Sequence, residues 1–306
     1  MTYSSLSQTV DEFIDYLHSA KGYASTTCQG YRRQLELIAQ QLASQGLDSW
    51  ANLHTKAIES MLISWRRTQV GIPTIQQRLA ALRSFADYLL QQGVLASNPA
   101  KLVQAPKARR RLPQNLDVDG VAYLLDDTPT DAIGLRDRAM FELLYSSGLR
   151  VSELVAVNVS DLNASRELRV VGKGQKTRIV PYGREAENWV QRWVQHRQAW
   201  LPVATREAST DALFINQRGG RLSTRSVQLR LKQWAQRRGL PDRVHPHKLR
   251  HSFASHILES SGDLRAVQEL LGHANLSTTQ VYTHLDFQHL AKVYDGAHPR
   301  ARKKKS

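Results

Sequence analysis

Apolar residues recur along the first hundred positions with the period of an α-helix. Leu6, Val10, Phe13, Ile14 and Leu17 fall at i, i+4, i+7, i+8 and i+11, which is one helical face. A second segment, opened by Ser25 as N-cap, carries Tyr31, Leu35, Ile38 and Leu42 on a stripe and closes at Gly46. A third helix is expected over about 55–69. A fourth begins at Pro73, shows Ile75, Leu79, Leu82, Phe85 and Leu89, and stops at Gly93. Four helices with short connections predict a small bundle over residues 1–103.

The pattern then breaks. Residues 104–113, QAPKARRRLP, hold two prolines, four basic residues and almost nothing apolar, and read as a linker. From Leu116 onward the periodicities are mixed. Helical stripes occupy about 117–126 and 133–147. Two β-type runs, RELRVVG and TRIVPYG, are joined by GKGQ and predict a hairpin with a glycine-rich turn. Helices resume at about 184–200, 223–238, 246–260, 263–271 and 276–285, and a lone strand-like LFIN lies at 213–216. Phe287, Leu290, Val293 and Tyr294 form a stripe on a short end helix near 287–296, which can pack on its own domain. The fold class is therefore mainly α with a small antiparallel β-sheet. A second domain is expected over 114–296, and a basic, disordered tail over 297–306.

Composition changes this picture in one respect. The chain has 306 residues, with 42 Lys+Arg against 27 Asp+Glu and a formal net charge of +15. Such a balance attracts polyanions, and counterion release makes nucleic acid the favoured partner. Arg32, Arg33, Arg78 and Arg83 line polar helix faces of the first domain, and Lys107, Arg109, Arg110 and Arg111 run through the linker. These eight are the candidate phosphate contacts. A solvated face and a plain solubilising linker are the alternatives. A single cysteine, Cys28, leaves no disulfide framework. Without a secretory leader or a long apolar run, a cytoplasmic setting with no membrane association is expected.

Four islands carry polar groups that local structure does not require. SSGLRVSEL places Arg150 after Gly148, where one helix ends and another begins, with Glu153 three residues on to orient its guanidinium. VGKGQKTRIVP sets Lys173 at the hairpin tip between two glycines. HPHKLRHSFASHIL crowds His247, Arg250 and His251 into the first turns of an otherwise apolar helix. LLGHANLSTTQVYTHL holds His273 and, nine residues later, Tyr282. Singly, each has an ordinary explanation as a cap, a solvated turn or a packing residue. Together, two arginines, two histidines, a lysine and a tyrosine suit phosphoryl transfer on DNA without a metal or other cofactor. Guanidiniums and imidazoles stabilise the charge gathering on the non-bridging oxygens, and arginine's planar fork meets two of them at once. The phenol is a nucleophile once activated, and a lysine on a hairpin can protonate the leaving deoxyribose oxygen. HExxH, GxxxxGK[ST] and GxSxG are all absent from the sequence.

These islands, in this order, resemble the tyrosine recombinase (phage integrase) family, and more narrowly the bacterial Xer recombinases. The resemblance covers both halves of the chain. It implies an N-terminal core-binding domain of SAM-like type and a C-terminal catalytic domain that close as a clamp on double-stranded DNA. It carries Arg150, Lys173, His247, Arg250 and His273 over as activating residues and Tyr282 as nucleophile, and it places the C-terminal helix near 287–296 against a neighbouring subunit. It further implies a related partner recombinase, XerD, in a heterotetramer on a specific site, a septal DNA translocase as activator, and resolution of chromosome dimers at cell division. A type IB topoisomerase, or a non-catalytic architectural DNA-binding protein, would share parts of the same pattern.

Overall fold

The computed structural model describes residues 2–107, 115–172, 176–201, 211–240, 244–272 and 293–300. The chain divides into two compact units, 1–112 and 113–306.

The first unit contains α1 (Thr2–Ser19), α2 (Ser25–Ser44), α3 (Thr55–Arg67) and α4 (Ile72–Gln91). The expected stripes face inward: Leu6, Val10, Phe13, Leu35, Ile38, Leu79 and Phe85 are all essentially inaccessible. Trp50 joins them, and its indole N–H donates to the Leu6 carbonyl at 2.9 Å, which satisfies the one polar atom that its burial would strand. One boundary differs from expectation. Ser25 is the first residue of α2 rather than its cap; Ala24 holds the N-cap position with no side-chain bond. Pro73 sits in the first turn of α4, where its missing N–H costs nothing.

The second unit is built around α6 (Ala132–Ser147), which buries 14 of its 16 residues and is therefore the central helix. Four charged residues on it are buried and paired. Asp137 accepts from Arg136 and Arg230, and Glu142 accepts from Arg138 and Arg300. Around it lie α5 (Val118–Leu125), α7 (Val151–Ala156), α8 (Arg184–Arg197), α9 (Thr224–Arg237), α10 (Pro246–Ser261) and α11 (Leu264–Leu271). Asp117, Asp131, Ser223 and Asp263 accept from first-turn amides of α5, α6, α9 and α11, as the orphan N–H groups of a helix start require. The expected hairpin is present: β1 (Glu167–Val171) pairs antiparallel with β2 (Thr177–Pro181), Val170 opposite Arg178 and Leu168 opposite Val180.

Two expectations need correction. LFIN is not a strand; Ala212 and Ile215 make isolated bridges to Asn158 and Arg221. Side chains occupy the carbonyls that a strand partner would take: Trp193 donates to Leu213 at 2.8 Å, and Arg136 to Ile215 at 3.2 Å. The second concerns the residues read as the head of a disordered tail. Residues 293–297 are helical, and Tyr294, Ala297 and His298 are buried on the core of their own unit. Their anchors are the Ser146–Tyr294 hydroxyl pair at 2.7 Å and the ion pair of Arg300 with the fully buried Glu142, neither of which local composition announces. Among the described residues, no helix is long and apolar enough to cross a membrane.

Candidate active site: three arginines on one carboxylate

The site begins where α6 stops. Gly148 closes the helix in the left-handed region, φ 59°, and donates to the Tyr145 carbonyl. Leu149 is buried, and Arg150 becomes the N-cap residue of α7. Glu153, at the third helical position, reaches back. Its Oε2 accepts the Arg150 backbone N–H at 2.8 Å and its Oε1 accepts the Arg150 guanidinium at 2.9 Å. The helix start thus orients the arginine, as the three-residue spacing suggested.

Arg250 arrives from the first turns of α10. It is buried, and its two terminal nitrogens donate to the carbonyls of Gly148 and Leu271, both at 2.6 Å. Its Nη1 lies 3.8 Å from Glu153 Oε2. The end of α6, the end of α11 and the start of α10 are thereby pinned to one guanidinium. Burial lowers its pKa to about 10, with the positive charges of Arg150 and Arg178 acting in the same direction and Glu153 against it.

A third guanidinium escaped the sequence reading. Arg178 of β2 makes a two-pronged pair with Glu153, Nη1 to Oε1 at 2.9 Å and Nη2 to Oε2 at 3.0 Å. It occupies the core-facing phase of the strand, with Val180 two residues on. An arginine at an inward position of a period-2 pattern is the signal that would have found it. Burial by itself would raise the Glu153 carboxyl; the hydrogen bonds and charge of Arg178, with the backbone and side-chain hydrogen bonds of Arg150, hold it below the ordinary value.

Three guanidiniums therefore share one carboxylate, leaving two positive charges uncompensated by it. Arg150 is the accessible member: its side chain is 37% exposed, against 7% for Arg178 and 9% for Arg250. A preorganised cationic cluster with one open face is chemically a receptor for an anion.

The structure brings Arg150, Glu153 and Arg250 together. His247 stands exposed in the first turn of α10, its ring 6.5 Å from that of His245. His245 itself is the N-cap, its Nδ1 accepting from the Lys248 amide. Lys173, His273 and Tyr282 lie outside the described residues, as do Arg109, Arg110 and Arg111. Of the remaining candidate phosphate contacts, Arg33 and Lys107 are exposed. Arg32 pairs with Asp11, and Arg78 stacks 5.0 Å from the Trp65 ring. Arg83 donates inward to the carbonyls of Ala100 and Val103, at 3.0 and 2.6 Å, and so ties α4 to the segment that follows it.

Comparison with known proteins agrees with this architecture. The Phage integrase family model matches residues 114–289, and the Phage integrase, N-terminal SAM-like domain model matches residues 10–93. A protein of Proteus mirabilis named Tyrosine recombinase XerC is 49% identical over 303 residues, covering 98% of this chain and 97% of that one. The protein of the same name from Salmonella typhi is 49% identical over 306 residues, covering both chains completely. Among solved structures, the XerH site-specific recombinase bound to a palindromic difH substrate aligns with a TM-score of 0.70 at 22% identity, over 94% of this chain and 84% of that one. With both domain models in order and near full-length relatives at this identity, the chain belongs to the phage integrase family, the tyrosine recombinases.

Proposed function

We propose that the chain is a site-specific DNA strand-transfer enzyme that cuts and rejoins double-stranded DNA through a 3′-phosphotyrosyl intermediate. The observation that carries this reading is the cluster of Arg150 and Arg250 around Glu153, a cationic group with Arg150 as its accessible member, suited to an anion such as a phosphodiester. Arg150 and Arg250, with His247 and His273, hold the scissile phosphate. The Tyr282 phenol gives its proton to a nearby base as its oxygen attacks phosphorus, the bond to the 5′ oxygen of the next deoxyribose breaks, and Lys173 supplies that oxygen with a proton. The ester made equals the ester lost, so a second 5′ hydroxyl reverses the step on a new strand without ATP. Exposed basic residues, Arg33 and Lys107 among them, meet the duplex backbone, and the two units close on it as a clamp. Relatives named Tyrosine recombinase XerC support a XerD-like partner; the same proposal takes the protein to be cytoplasmic, to act as two copies of each subunit in turning chromosome dimers into monomers at division, and to be triggered by a septal DNA translocase.

The test starts from DNA crosslinked to the protein in cells, recovered and sequenced, then remade as a nicked duplex. The wild-type chain is expected to form a covalent adduct visible on a denaturing gel, and Tyr282→Phe none. An adduct that persists in Tyr282→Phe refutes the assignment. Relaxation of plasmids lacking the recovered site would favour a topoisomerase instead.

A further inference from the structure

We propose that Arg178 is a positioning residue for strand cleavage: its guanidinium fixes the Glu153 carboxylate that aims Arg150, and it forms the surface against which the chain turns at Gly172 and Gly272. The inference rests on the recombinase reading above. Two observations support it. Both Glu153 oxygens are bound by Arg178, so the carboxylate has no rotational freedom left when it receives the Arg150 backbone and side chain. The two glycines that directly precede Lys173 and His273 lie against the same guanidinium. A Cβ on Gly272, whose φ is +65°, would stand 3.1 Å from Arg178 Cδ, Cζ and Nε; one on Gly172 would stand 3.3 Å from its Nη1.

One side chain thus holds the carboxylate that orients Arg150, lies against the two glycines that precede Lys173 and His273 in the chain, and contributes to the lowered pKa of Arg250. Lysine in its place keeps a charge but loses the planar fork that holds both carboxylate oxygens. Around metal sites, removing a group that orients the ligands costs about 10- to 100-fold in affinity or activity, and a loss on that order is expected here.

The experiment uses the full chain and the nicked duplex described above, measuring the single-turnover rate of adduct formation at saturating protein, the Kd for DNA, and the thermal midpoint. Arg178→Lys is expected to keep the wild-type Kd and a folded midpoint while the rate falls about 10- to 100-fold. Arg178→Met, if it folds, should be slower still. Because part of the effect of Arg178 runs through Glu153, the double variant Arg178→Lys/Glu153→Gln should lose less than the product of the two single losses, whereas independent structural damage multiplies. Arg178→Lys cleaving at the wild-type rate, a multiplicative double variant, or a rate loss matched by the unfolded fraction would each overturn the inference while leaving the recombinase reading intact. A wild-type chain that forms no adduct overturns both.

Discussion

Gly148 meets two separate demands. Its φ of +59° is the left-handed region, and a Cβ there would lie 2.4 Å from the Phe253 ring. Strain of the first kind and overpacking of the second each cost about 1–3 kcal/mol. Gly148→Ala is therefore expected to lose at least about 2 kcal/mol in urea unfolding, and to slow cleavage, because the Gly148 carbonyl holds Arg250. Gly262 provides the control. It has a similar φ of +67° but open space around it, so Gly262→Ala should show the backbone strain alone. Equal losses in the two variants would mean that Phe253 does not constrain the turn. At this same scale the sequence revealed Arg150, Glu153 and Arg250 because each interrupts an apolar or helical pattern. Arg178 went unread although it interrupts the inward phase of β2; that its partner is Glu153, 25 residues away, no local pattern could show.

Among the elements, the amphipathic helices of the first unit were legible, since a stripe on one face needs only one buried side. The central helix α6 was legible as a helix but not in its charges. Asp137 and Glu142 are buried because arginines from α9 and from residue 300 reach them, and such partners are visible only after folding. The segment 293–300 shows the same limit and carries a pH dependence. His298 is enclosed by Tyr145, Phe253 and Tyr294, with Arg300 and His256 nearby. Burial first, then the charge of Arg300, lowers its pKa to about 3. A histidine depressed in this way binds its proton more readily in the unfolded chain. Its contribution is complete above the unfolded value, about 6.5, and is lost as pH falls from there toward 3. Urea unfolding at pH 7 and pH 5 should differ by about 2 kcal/mol from this group. His298→Phe should flatten that part of the response, and His256, also lowered by burial, should account for what remains. A wild-type stability independent of pH between 7 and 5 would place His298 in water.

For the whole molecule, the decisive quantity is charge. A formal +15 over 306 residues is more than the candidate site needs, since its own uncompensated charge is small. The rest is spread through both units, and its use follows from the physics of a polyanion. Each phosphate neutralised by a lysine or arginine releases condensed counterion, so log K falls linearly with log salt, with a slope near −0.9 for every contact on B-DNA. A chain that grips the duplex with residues from both units would make on the order of six to ten such contacts, which means a loss of about 10³- to 10⁵-fold in affinity between 50 and 200 mM salt. Fluorescence anisotropy with a labelled duplex over that range measures the slope directly. Replacing the exposed Arg33 or Lys107 by alanine should reduce it by about one unit if that residue meets a phosphate, and should leave it unchanged if its side chain is merely solvated. Arg83, tied to the carbonyls of Ala100 and Val103, should change stability rather than slope. A slope near zero for the intact chain would leave the basic excess without a partner and would contradict closure of both units around DNA.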